Sequence, residues 1–347
     1  MIDWGSGYSS TWRVYEVDPK TWADSGELSG VRSVSIERDA SGNAPLLESG
    51  TISLDDDISG TFRERYIRIV LVAHQQGISE RVEVSTLLCG ATDSTIGYGV
   101  ETRSLVGRSV LWPANTRRLT SGSYVRRGSD GAEWAADILR ECLSAPVIQE
   151  GSFALDETIV LGIGDTVLEA VWAVLYAGGF CLQITGNGTV RVMPRPSTPE
   201  LSLDDAGARL LRPGITRSFD LSEVPSRYIA VEGELVSIAE NDNPDSPTSS
   251  VYRGYTVDMV DDTPQRRSGE TLSAYCRRRL SEESTIVDER SYSREFWPGI
   301  FPLSIVRGTM SGIGLDGDMR VTRQSLTCDK GITVSERAEG EVKTWTE

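Results

Sequence analysis

A single histidine, His74, is all that this 347-residue chain contains. A Ser-His-Asp triad or a histidine metal cluster would have to rest on it alone. Its place at the end of an apolar strand, before Gln75-Gln76-Gly77, predicts a surface-facing side chain. Cysteine is scarce as well. Cys89, Cys142, Cys181, Cys276 and Cys328 are far apart, odd in number and form no CxxC pair. That excludes a disulfide framework and a cysteine zinc site. Cys142 and Cys276 fall at apolar positions of predicted helices, where a thiol serves as a small buried hydrophobe, and the usage fits folding in a reducing compartment. Basic charge is in deficit, with Lys+Arg 35 against Asp+Glu 51 and a net charge of −16. A surface built to neutralise phosphates would need clustered Lys and Arg instead. No apolar run approaches the roughly 20 residues of a membrane span. The start, MIDWGSGYSS, has neither the basic region nor the apolar core of a signal peptide.

Motifs of catalysis are missing too. Gly308-Thr309-Met310-Ser311-Gly312 imitates a nucleophile elbow but sets the serine one place late. Gly162-Ile163-Gly164 begins like a dinucleotide fingerprint, yet Val167 stands at its third glycine position. No phosphate-binding GxxxxGK[ST] loop occurs. Carboxylate groups such as Asp55-Asp56-Asp57, Glu282-Glu283 and Asp316-Gly317-Asp318 are numerous, but none is singled out as the pair a glycosidase needs. Asn241, Asn243 and Asp245 alternate as calcium ligands could, while Ser246 and Tyr252 stand where an EF-hand needs glycine and glutamate. The stretch Glu240–Ser250 therefore reads as a solvated, mobile loop. Arg277, Arg278 and Arg279 precede Glu282 and Glu283 by about one helical turn, which predicts intrahelical ion pairs; the functional alternative is a partner's acidic patch. No catalytic, cofactor-binding or metal-ligating residue is assigned, and no cofactor is implied.

What is present is mostly strand. WRVYEV at Trp12–Val17, VRSVSIER at Val31–Arg38, GTISLD at Gly50–Asp55 and RYIRIVLVA at Arg65–Ala73 are short alternating runs, followed by RVEVSTLLCGAT and by TRSLVGRSVLW ending at Trp112-Pro113. Such spacing suggests an antiparallel barrel or sandwich. Near Ser121 the period changes. GSDGAEWAADILRECLSAP places Trp134, Ile138, Leu139 and Cys142 on one helical stripe, with Glu133, Asp137 and Glu141 facing water. A short apolar run, IVLGIG, leads to a second helix in which Thr166 and Glu169 have capping-box spacing. Leu168, Val171, Trp172 and Leu175 form its apolar stripe, and Gly178-Gly179 stop it. Phe180, Leu182 and Ile184 then alternate with Cys181, Gln183 and Thr185, and Gly186-Asn187-Gly188 turns the chain into a hairpin. After a polar connector containing Arg212-Pro213-Gly214 come a strand, RYIAVEGELV, and a third helix, ETLSAYCRRRLSEES, with Leu272, Cys276 and Leu280 inward. Strands resume with SREFW, SIVRGTM, DMRVTRQSLTC and ITVSERAEGEVKTW. Of eight tryptophans, most lie near segment ends, where core plugs and subunit contacts use them.

Four stretches together resemble the hub or tail-tip proteins of bacteriophage tails, the family of the baseplate hub of contractile tails and of the N-terminal part of siphophage tail-associated lysins. TWRVYEVDPKTW with VRSVSIERD and GTISLD resembles its opening barrel. VLEAVWAVLYAGGFCLQITGNGTVRVMP resembles its helix and hairpin. DLSEVPSRYIAVEGE with AENDNPDSPTSS resembles the entry to its third domain. SREFWPGIFPLSIVRGTM with GDMRVTRQSLTCDKGITVSERAEGEV resembles its closing barrel.

The resemblance implies a β-rich α+β chain with two β-barrel-like domains and two smaller α+β domains. Residues 1–118 with 197–218 would form the first barrel and 119–196 an inserted α+β domain. Residues 219–290 would form a second α+β domain with the loop 240–250, and 291–347 the closing barrel with strands from 224–236. It further implies a homotrimeric hub in the virion, made in the bacterial host cytoplasm. Its implied partners are the distal tail protein or tail tube ring, the C-terminal end of the tape-measure protein, and fibre, spike or receptor-binding proteins. DNA would pass through the lumen without specific binding, repelled by acidic walls. Many siphophage relatives continue into a peptidoglycan hydrolase; the end at Glu347 leads us to expect no such module and no enzyme activity. The alternative is a host-surface protein that binds or degrades glycans.

Overall fold

A computed structural model of the chain describes residues 2–4, 7–40, 47–54, 63–97, 100–203, 214–264, 266, 270–310 and 315–344. The chain divides into two compact units, Met1–Gly214 with Ser291–Ala338, and Ile215–Arg290 with Glu339–Glu347.

The first unit opens with β1 (Ser9–Val17), β2 (Asp24–Glu27), β3 (Val31–Asp39), β4 (Glu48–Leu54), β5 (Arg65–Gln75), β6 (Ile78–Gly97) and β7 (Val100–Arg108). They pair antiparallel in the order β3-β4-β7-β6-β5-β1-β2. In β3 the alternation is clean, with Val34, Ile36 and Arg38 buried between exposed neighbours. In β5 it fails, because the strand is covered on both faces. Ile67, Ile69 and Leu71 enter a core with Val34, Ile36 and Ile52, while Tyr66 joins a second core built on helices.

Those helices follow. TRSLVGRSVLW does not run as strand to Trp112. The strand stops at Arg108, and α1 (Trp112–Thr116) starts there with Pro113 in its first turn, where its missing N–H is harmless. Then come β8 (Ser123–Val125), α2 (Gly131–Arg140), β9 (Val147–Gln149), β10 (Ile159–Leu161), α3 (Val167–Ala177), β11 (Phe180–Ile184) and β12 (Val190–Pro194). Asp130 caps α2 by accepting from the Ala132 and Glu133 amides. The buried side of α2 is Ala132, Ala135, Ala136 and Leu139; Trp134 and Ile138 are half-buried at its margin, and Cys142 lies past its end. Small residues win the inner face because α2 packs directly against α3. The capping box of α3 forms as expected. Thr166 N–H donates to Glu169 Oε2 at 2.7 Å, and Glu169 N–H donates to Thr166 Oγ1 at 3.0 Å. Gly179, at φ +67°, makes the left-handed exit.

In the hairpin β11–β12, Cys181, Leu182, Gln183 and Ile184 are all buried, so the expected alternation marks no outer face. Leu182 packs on the helices, whereas Cys181 and Met193 pack on Leu303. β9 completes this sheet in parallel with β12. The hairpin tip rests on β6, where a Cβ at Gly186 would lie 1.9 Å from the Glu83 carbonyl oxygen.

β13 (Pro199–Leu203) ends the first passage through this unit, and Ser291–Ala338 returns to it. There β19 (Ile305–Met310) pairs with β13 in parallel and with β20 (Leu315–Cys328) antiparallel, and β20 pairs with β3 from Arg323↔Asp39 to Cys328↔Val34. Leu326, Cys328, Ile332 and Val334 therefore share one core with the opening strands.

The second unit contains β14 (Thr216–Ser218), β15 (Arg227–Glu232), β16 (Leu235–Glu240), α4 (Ser250–Arg253), β17 (Asp258–Asp261) and α5 (Leu272–Glu283). β18 (Thr285–Glu295) and β21 (Ile332–Lys343) each have one end in it. β15 lies between β16 and β17 in a three-stranded sheet of its own. α5 packs on one face of that sheet through Tyr275, Cys276 and Leu280.

Candidate assembly interface

The residues that sequence suggested for chemistry are separated or already engaged. His74 is exposed near the end of β5. Gly162-Ile163-Gly164 makes a turn ahead of α3, where the Gly162 amide donates to Asp165 Oδ2 at 2.7 Å. Asp318 takes a bidentate contact from Arg307 at 2.6 and 2.9 Å. Arg278 bonds Glu270 and Glu282, and Arg279 bonds Glu282 and Glu283, which gives the helical ion pairs expected of the arginine triplet. Asp55-Asp56-Asp57, Ser311 and Gly312 lie outside the described residues, as do Arg212 and Pro213. Among the described residues no three His, Cys, Asp or Glu side chains gather as a metal site.

The stretch 240–250 is built rather than loose. Asn241 is fully buried and its amide donates to Ser246 Oγ at 2.9 Å. Ser246 Oγ donates to the Thr344 carbonyl at 2.8 Å, and Ser249 caps α4. The polar composition that suggests a mobile loop is spent on internal hydrogen bonds. Nearby, Asp261 accepts from Tyr228 OH at 3.0 Å and from Tyr275 OH, and the Tyr275 bond first of all holds its carboxyl below the usual range. Both phenols are committed to one carboxylate, so the cluster ties β17 to β15 and α5.

A buried polar network lies in the first unit. Ser85 Oγ donates to Glu48 Oε1 at 2.7 Å, and Arg38 Nε donates to the same oxygen at 2.9 Å. Arg38 Nη1 reaches Gln324 Oε1 at 3.2 Å, and Gln324 Nε2 donates to Glu336 Oε1 at 2.6 Å. Glu336 Oε2 accepts from Arg294 Nε at 2.8 Å. Six strands, β3, β4, β6, β18, β20 and β21, are thereby linked through one network. Burial pushes the Glu336 carboxyl up, but the Arg294 guanidinium, together with the Gln324 amide and the Tyr292 hydroxyl, outweighs it and leaves the group below the usual range. Such networks specify which strands meet more than they add stability. Arg38, Glu48, Gln324 and Glu336 fall in the inward phase of their strands, in step with Ile36, Ile52, Leu326 and Val334; sequence reading missed the network because no local pattern says which of these polar side chains meet.

Three cysteines are chemically quiet, with burial raising Cys89 and Cys328 to about 12 and Cys181 to about 11. What the molecule does offer outward is apolar surface on strands. Tyr124 and Val160 form an exposed cross-strand pair on the ribbon β8–β10. The face of the β15–β17 sheet opposite α5 is broader. Surfaces of this kind mark sites of association.

No protein-family model matches the sequence, and no curated protein matches it. Solved structures do match in fold. A tail protein from Neisseria meningitidis superposes with TM-score 0.62 at 16% identity, covering 96% of this chain and 97% of that one. The 43 kDa tail protein of prophage MuSo2 from Shewanella oneidensis gives TM-score 0.60 at 12% identity, covering 94% and 97%. Prophage tail protein gp18 from Listeria monocytogenes gives 0.51 at 9% identity, covering 94% of each. The resemblance to phage tail proteins is thus shown at the level of the fold.

Proposed function

We propose that this chain, which has the fold of phage tail proteins, is a structural subunit of a phage tail tip or baseplate and forms a trimeric hub there. The observation that carries the reading is the match in fold along nearly the full length of both partners in each comparison. In this reading residues 1–118 with 197–218, and 291–347, act as two barrel-like domains per subunit. Three copies then present a pseudo-sixfold ring to the tail tube or distal tail ring. Residues 119–196 and 219–290 are the smaller α+β domains that lead to a threefold spike or fibre. The ring surrounds a channel used by the C-terminal end of the tape-measure protein and by DNA during ejection. A net charge of −16 suits a wall that must let DNA slide past. The role is one of binding and geometry, with no catalytic step, and its place is the virion after synthesis in the host cytoplasm.

Mass and symmetry of the purified full chain test this directly. A stable trimer by light scattering, with a threefold ring by electron microscopy, is expected. A monomer that binds glycans saturably or releases sugar would replace the hub by the glycan-directed alternative.

A further inference from the structure

The β15–β17 sheet is covered by α5 on one face only. Tyr228, Ala230 and Ala239 point to that helix and are buried. The pleat sends the intervening residues to the opposite face. Strand register places Ile238, Ile229 and Val260 in one row, and Val236 beside Val231 in the next. Val236, Ile238 and Val260 are 60%, 55% and 63% exposed. With half-buried Ile229 and Val231 on the central strand between them, these five β-branched aliphatic side chains form one patch facing water.

Charge at the two ends of the patch narrows what can cover it. The row bordering Ile238 is Glu240, Arg227 and Asp258, in which Arg227 is engaged by Asp258 through contacts of 2.8 and 2.6 Å. At the other end lie Glu234 and Asp262, while Glu232, held by Arg266 at 2.9 Å, follows Tyr228 and Ala230 on the α5 side of the pleat. Carboxylates outnumber guanidiniums at both ends. A second copy would bring the same acidic rims against these, which like-charge repulsion opposes. Five side chains also fall short of the roughly 800 Å² per partner of a standard interface.

We propose that this face docks a basic amphipathic segment of another protein, whose aliphatic stripe covers the two apolar rows while flanking Lys or Arg meet Glu240, Asp258, Glu234 and Asp262. The inference goes beyond the hub reading and does not depend on it.

The test titrates the full-length protein into a fluorescently labelled synthetic Leu/Lys amphipathic helix peptide, with the Leu/Glu analogue as comparison. Saturable binding of the Leu/Lys peptide is expected, about tenfold weaker in V236K/I238K and weakened by salt. Val260→Lys alone, at the far side of the same row, should show the same direction and serves if the double variant does not fold. Equal binding by the variants would mean general adsorption to an acidic surface and would overturn the proposal. So would equal binding of the Leu/Glu peptide, absence of binding, or a self-association that the variants abolish. The hub reading is scored separately by trimer mass, which these peptide titrations leave untouched.

Discussion

The indole Nε1 of Trp22 donates to the main-chain carbonyl of Asn187 at 2.7 Å, joining residues 165 positions apart. Arg68 Nη2 donates to the same carbonyl at 3.1 Å, and Thr86 Oγ1 donates to the Gly186 carbonyl at 3.1 Å. Trp22 holds a left-handed φ of +58° to make its contact, a conformation that costs about 1–3 kcal/mol and persists only where its surroundings fix it. The β11–β12 hairpin is therefore moored by its tip to β5 and β6.

Gly186→Ala should break this mooring. Its Cβ would collide with a backbone oxygen that cannot rotate away, so the loss should be about 3 kcal/mol, at the upper end for overpacking. Trp22→Phe removes the hydrogen bond and shrinks the ring that packs on Tyr66, and should cost about 1–2 kcal/mol. Urea unfolding of both variants checks the ranking. A neutral Gly186→Ala would mean that the tip is not seated on β6.

The buried pair Arg294–Glu336 gives a second expectation. Glu336→Gln leaves a guanidinium buried without its counter-charge, and the loss should be about 3–5 kcal/mol. The double change Arg294→Met with Glu336→Met should be less damaging than Glu336→Gln alone, because no charge stays stranded. Denaturant midpoints for the two variants decide it; a double variant worse than the single would show that Gln324 and its neighbours cannot adapt.

Acid should destabilise the fold through two carboxylates. Burial acts first to raise both Glu336 and Asp288, but Arg217 and Arg290 at Asp288, and Arg294 with Gln324 and Tyr292 at Glu336, overcome it and hold both below their ordinary values. A depressed folded pKa contributes stability above the unfolded value and loses it as pH falls through the folded one. Melting temperature should be flat near neutrality and fall steadily below the ordinary carboxylate range of about 4. In Glu336→Gln that acid slope should be shallower. An equal slope would assign acid sensitivity to other groups.

Sequence periodicity made the opening strands, the capping box of α3, its glycine stop and the hairpin legible, because each is set by neighbours within a few residues. It could not show that β5 and β11 are covered on both faces, since Tyr66 and Cys181 meet elements distant in the chain. The same locality hid the network from Ser85 to Arg294, whose members become partners only once β20 pairs with β3. It also misjudged Asn241: a residue in a polar run reads as solvated, yet contacts with Ser246 and Thr248 bury it. The apolar face on β15–β17 was in principle visible as Ile229, Val231, Val236 and Ile238, but nothing local says which face the helix will leave open.

Thiol chemistry supplies a final expectation. Cys89, Cys181, Cys276 and Cys328 are buried, while Cys142 is partly exposed just beyond α2. Burial raises the Cys142 thiol and the Arg117 guanidinium, 3.2 Å from its sulfur, opposes that rise. On balance the thiol stays above its ordinary range, so exposure alone sets Cys142 apart; an aromatic disulfide reagent should titrate one thiol ahead of the rest in the native protein and all five only after denaturation. Cys142→Ser should abolish the fast phase and leave the total under denaturant one lower. A second fast thiol in that variant would mean that β6, β11, β20 or α5 opens on the time scale of the reaction, and its position would identify which.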